Sequence, residues 1–113
     1  MKKFRMKIDE KVISYLERTF YENEMTKDNI AFLITNYGEL VLETEAFKAY
    51  EKKQIEAKMH YENAKAEITE RYVAPTFGNH NVNWQIDFRT RLLYVTQMCD
   101  CEIRTNGMFE EVM

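Results

Sequence analysis

The sequence predicts an α+β fold: an N-terminal antiparallel helical hairpin or three-helix unit with a long third helix, capped by a small C-terminal antiparallel β-meander. Three observations carry that expectation. From Val12 to Ile68 apolar residues recur at helical spacing, as in helices that bury one face. From Asn81 the period changes to two, in NVNWQIDF, the mark of a half-buried strand. Punctuation is sparse, with three glycines and one proline in 113 residues, so the elements between breaks are long.

Taken in order, the basic run Lys2, Lys3, Arg5 and Lys7 reads as a frayed, solubilising end. Asp9 is a good N-cap, and Val12, Ile13, Leu16 and Phe20 line a stripe, giving a first helix over 10–22. Thr26 reads as a second N-cap, with Met25 and Ile30 placed as a hydrophobic staple. The second helix then covers 27–37, burying Ile30, Leu33, Ile34 and Tyr37, and Gly38 ends it. The third helix spans 42–73 and stops before Pro75.

Phe47, Tyr50, Gln54, Ala57, Tyr61, Ala64 and Ile68 form the seam of that third helix. The seam suits a helix packed at a shallow angle on a neighbour. It has too few heptads for a sustained coiled coil, so an intramolecular hairpin is expected over a coiled-coil dimer. Strands follow over 81–88, 92–97, 99–104 and 108–112. Arg89 to Arg91 reverses the chain between the first two, and Asn106-Gly107 between the last two. Val82, Trp84, Ile86 and Phe88 share one face, on which Trp84 packs into the core. The segment beyond Met98 reads as a late hairpin that contributes modestly.

Composition bounds the function. The length fits a single domain, 1–113. Sixteen basic against 19 acidic residues leave a net charge of −3, a mixed surface that favours neither a DNA mimic nor a DNA binder. No apolar run is long enough to span a bilayer, and MKKFRMK lacks the apolar core of a secretory signal, so a cytoplasmic protein without membrane contact is expected. Cys99 and Cys101 stand one residue apart, where a bridge would be strained, and read as reduced thiols.

Signatures of chemistry are few. His60 follows Glu56 by four residues, whereas the di-metal bundle motif needs a spacing of three and a second copy. His80, Cys99 and Cys101 could together offer imidazole and thiolate to zinc. A single residue between the cysteines departs from the usual paired spacing, so no metal site is assigned. No glycine-rich loop supports nucleotide binding. The expectation is no catalytic residue, no cofactor and no metal. Tyr50, Tyr61, Trp84 and Tyr94 are the candidate interface, since interfaces enrich aromatic residues.

Three short stretches resemble small accessory proteins of bacterial CXXX-repeat peptide modification systems. They are Leu16-Glu17-Arg18, Tyr50-Glu51-Lys52 and the run from Trp84 to Thr90, so the likeness covers Ile13 to Val95 and leaves out the tail from Met98. The resemblance implies a non-catalytic partner of a peptide-modifying enzyme and carries over no catalytic residue. The leading expectation is a non-enzymatic protein-binding module, monomeric or homodimeric, acting as an inhibitor or accessory subunit. A phage- or mobile-element-encoded inhibitor of a host defence enzyme is one version. A nucleic-acid binder acting through the basic N-terminus is the alternative.

Overall fold

The computed structural model describes residues 2–105 and 107–112. It is α+β, with two long helices and a four-stranded antiparallel sheet. The elements are β1 (Lys2–Lys7), α1 (Glu10–Tyr37), α2 (Glu45–Ile68), α3 (Ala74–Phe77), β2 (Val82–Asp87), β3 (Leu92–Gln97) and β4 (Glu110–Val112). A 3₁₀ turn, Glu39–Glu43, leads into α2, and a π-turn, Thr69–Val73, joins α2 to α3. The chain forms two compact units. One comprises Met1–Ser14 with Ala66–Met113, and the other is Tyr15–Lys65.

The first unit is built on the sheet, in the order β2-β3-β1-β4. The N-terminal run is not frayed: β1 pairs with β3 on one side and with β4 on the other. Its apolar residues alternate with cations, and Phe4 is buried, but so short an alternation acquires meaning only beside its distant partners. Directly opposed residues share a face, so Trp84, Val95 and Phe4 line up across three strands, as do Ile86, Leu93 and Met6. The β2 part of that face follows the sequence pattern. Phe77 is fully buried, with the Phe4 ring centroid 5.4 Å away and that of Phe109 at 5.1 Å, edge-on. Val12, Ile13, Ile68, Val73 and Leu93 are buried in the same core.

Two tail expectations need correction. The segment predicted as a strand over 99–104 has no regular structure. The buried Gln97 amide instead donates to the backbone carbonyls of Cys99 and Cys101, and such local side-chain bonds compete with a ladder. The last strand is shorter than 108–112 and pairs with β1, while Phe109 is buried, so the tail is part of the core. Of the predicted Asn106-Gly107 turn, Asn106 lies outside the described residues, and Gly107 has φ 77°.

In the second unit α1 and α2 form an antiparallel hairpin. Phe20 packs edge-on against Tyr61 at 5.7 Å between centroids, and the Gln54 Nε2 donates to Asn23 Oδ1 at 3.0 Å. Phe47, Ala57, Ala64 and Ile68 of the predicted seam are buried, Gln54 and Tyr61 half-buried, and Tyr50 exposed. Asp9 caps α1 as expected, accepting the Lys11 backbone N–H at 3.0 Å. The break expected between 22 and 27 does not occur, because Thr26 is a mid-helix residue. Its hydroxyl lies 3.0 Å from the carbonyls of Glu22 and Asn23 and also meets Gln54 Oε1. A back-bonded threonine is compatible with an unbroken helix.

The expected burial beyond Thr26 holds only in part: Ile30 and Leu33 are half-buried, whereas Ile34 and Tyr37 are exposed. Gly38, at φ 71°, ends α1 as expected. The α-helix predicted over 42–73 begins at Glu45, where Thr44 Oγ1 accepts the Phe47 N–H at 3.1 Å. At its far end the chain coils past Pro75 instead of stopping before it. The π-turn, in which Ala74 N–H reaches back to Thr69 O, widens the coil ahead of a residue that has no N–H to give.

Candidate functional site

The His80, Cys99 and Cys101 side chains converge in the sheet unit, and the antiparallel register explains how. Val82 pairs with Gln97, so continuing the same register by two residues sets His80 against Cys99. The Met98 N–H donates to Asn81 O at 2.8 Å and carries the pairing past the strand ends. His80 is fixed from its other side, where its N–H donates to Phe77 O at 3.0 Å after the turn at Gly78. His80 Nδ1 lies 3.8 Å from Cys99 Sγ. With Cys101 Sγ, the three ligand-type atoms all lie within 4.8 Å of one another.

Gln97 anchors the loop that carries both thiols. It is 1% exposed, and its Nε2 donates to Cys99 O at 2.8 Å and to Cys101 O, with Cys99 Sγ at 3.6 Å. Its Oε1 is buried and has no hydrogen-bond partner among the described residues. Lys2, Gln97, Cys99, Asp100 and Cys101 line a small cavity, so β1 contributes a residue to its wall. The Cys99 thiol is lowered to about 7, first by the Cys101 backbone N–H and then by the Cys101 thiol, the Gln97 amide and His80. Cys101 is pushed up by its hydrogen bond to Cys99 and by repulsion from it. The donors around Cys99 favour its thiolate, the form in which a cysteine acts as a nucleophile or a metal ligand.

The aromatic residues singled out in the sequence do not form one surface. Trp84 and Tyr94 lie on opposite faces of the sheet, since Trp84 opposes Val95 whereas Tyr94 opposes Gln85. Trp84 is half-buried, not enclosed, and its Nε1–H donates to Thr69 Oγ1 at 3.0 Å. Tyr50 and Tyr61 share a face of α2, and the Lys65 ammonium lies 4.6 Å from the Tyr61 ring centroid.

A different apolar stripe emerges on α1. Tyr21, Met25 and Phe32, at spacings of four and seven, fall on one side of the helix, and they are 58%, 58% and 61% exposed. Sequence reasoning missed it because the supposed break at Thr26 divided the stripe between two helices. Among the described residues no helix is long and apolar enough to cross a membrane. No protein-family model, no curated protein and no solved structure matches this chain.

Proposed function

We propose that this protein is a non-enzymatic binding module, an inhibitor or accessory subunit that works in the cytoplasm by docking the exposed stripe of α1 into an apolar groove of another protein. The observation that carries this reading is the exposure of Tyr21, Met25 and Phe32 along one side of a continuous helix. Amphipathic helices are recognised in grooves through anchors at such spacings. Each large side chain buried there is worth about 1.5–3 kcal/mol, and methionine adapts to an irregular partner surface. Ten acidic against seven basic residues lie between Tyr15 and Lys65, which favours a groove with a basic rim. An inhibitor encoded by a phage and an accessory protein of a peptide modification system are versions of this reading that differ only in the partner.

The nucleic-acid alternative draws on the cations of β1, and Arg5 among them is paired with Glu110 at 3.0 Å. Salt-dependent oligonucleotide binding would be its mark.

The docking reading is tested with a photoreactive residue placed at Phe32 in the native host. One heterologous protein should be captured, and purified partner should bind the Tyr21→Lys, Met25→Lys double variant on the order of 100-fold more weakly. Capture of the same protein from a probe at the exposed Glu102 alone, or unchanged affinity of the double variant, would remove the α1 stripe as the contact.

A further inference from the structure

We propose that His80, Cys99 and Cys101 form a binding site for one Zn²⁺ ion per chain, with the fourth coordination position open to solvent. Two thiolates and an imidazole are a donor set that zinc takes in tetrahedral geometry. The atoms that would bind it already lie within 4.8 Å of one another, whereas sulfurs on a shared tetrahedral zinc stand about 3.8 Å apart. Closing the site therefore asks for a movement of about 1 Å, within reach of an exposed cysteine on a segment without regular structure.

His80 is brought to Cys99 by the β2–β3 register and held by the turn after α3. Both cysteine carbonyls are gathered by one buried amide, that of Gln97. The glutamine that gathers them is buried, and its Oε1 has no partner among the described residues, so the loop is held by a group that pays a desolvation cost to hold it. The three-ligand set with an exposed side is the pattern of sites that keep a position for water or an incoming group. Binding displaces the protons of both thiols, and the resulting two negative charges balance the ion, with neutral imidazole as the third ligand.

A single residue between the cysteines argues against zinc only where each thiol must come from its own turn of a zinc knuckle. Here the bend at Cys99 replaces that turn, and the third ligand comes from the neighbouring strand end.

The test is titration of the reduced, metal-free full-length chain with Co²⁺, followed by displacement with Zn²⁺. The expected result is thiolate-to-cobalt charge-transfer absorption and intense tetrahedral d–d bands that saturate at one ion per chain and disappear on adding zinc. His80→Gln and Cys101→Ser, both at exposed positions, should each weaken binding by at least about 100-fold, beyond what loss of a mere supporting contact costs. The exposed His60→Ala should leave it unchanged, and circular dichroism should show all three variants folded. Weak octahedral bands, saturation at half an ion per chain, or binding untouched by His80→Gln would each overturn the site.

Discussion

Arg91 stands at φ 60°, a left-handed conformation that costs a residue with a Cβ about 1–2 kcal/mol. The turn between β2 and β3 requires that conformation, since the Asp87 carboxylate accepts the Arg89 N–H at 2.8 Å and the Arg91 N–H closes onto Asp87 O at 2.7 Å. Glycine would meet the requirement without strain, but it could not send a guanidinium to Glu10, 3.1 Å away, or to Ser14 at 3.2 Å. Both Arg91→Gly and Arg91→Ala lose those contacts, and only alanine keeps the strain. In urea denaturation the glycine variant should therefore be the more stable by about 1 kcal/mol; equal stabilities would mean that the turn relaxes. The Glu10 carboxyl is held below its ordinary value by the Arg91 guanidinium, so this link should weaken only as the pH falls through that lowered value. Cys99 offers a second test. Its alkylation rate should rise with pH and reach half its plateau near about 7, with Cys101 following at higher pH, as peptide mapping by mass spectrometry would show. Half-plateaus for both near the ordinary thiol value of about 8.5 would contradict the local donors described above. The residue types of this cluster were legible in the sequence, and even the two strands flanking it. What was not legible was the register: only the pairing of Val82 with Gln97 sets His80 beside Cys99, and no spacing along the chain between positions 80 and 99 encodes it.

Elements were read well where local chemistry decides them and poorly where distant partners do. Asp9 and Gly38 mark the ends of α1 because capping and a positive φ are local demands. Thr26 has the same chemistry as a cap, yet it sits inside the helix because Asn23 and Gln54 give it a polar neighbourhood across the hairpin. That neighbourhood fixes how α1 and α2 align, as a buried polar pair does at a helix interface. Gln54→Ala should cost about 1–3 kcal/mol, since it leaves the Asn23 amide, only 3% exposed, without its partner; a loss comparable to an exposed Lys52→Ala would show that water takes its place. The last strand makes a sharper test. Phe109 packs on Phe77 inside the sheet unit, so Phe109→Ala should cost about 3–5 kcal/mol in thermal or urea unfolding. Truncation after Gln97, which also removes β4 and both carbonyl acceptors of the Gln97 amide, should abolish cooperative unfolding of that unit. A truncated chain that retains a sharp transition would restore the view of the tail as an accessory.

On the scale of the whole molecule, the sheet unit is assembled from both ends of the chain, and the hairpin unit is one continuous segment between them. The fold class was legible because the change in period near Asn81 separates helix from strand. The division into units was not, because both long helices cross it, α1 between Ser14 and Tyr15 and α2 between Lys65 and Ala66. Replacing Met25–Lys53 by a short glycine-rich loop should therefore leave the sheet intact, with the Trp84 fluorescence of the parent and a cooperative melt. Loss of both would show that the sheet depends on the outer hairpin. The arrangement also sets an order of events during synthesis. β1 is made before its partner β3, so Lys7 must wait for Leu92 and Lys2 for Gln97. At about 5–20 residues per second that wait lasts roughly 5–20 s, while helices form in about a microsecond. Throughout that interval β1 is an unpaired strand, free to join any other exposed strand nearby. Its cations at positions 2, 3, 5 and 7 should repel a second nascent copy and disfavour aggregation through Phe4 and Met6, as charged residues do along exposed edges. The basic run is, on this account, a gatekeeper for the newborn chain, guarding the strand until its partners leave the ribosome.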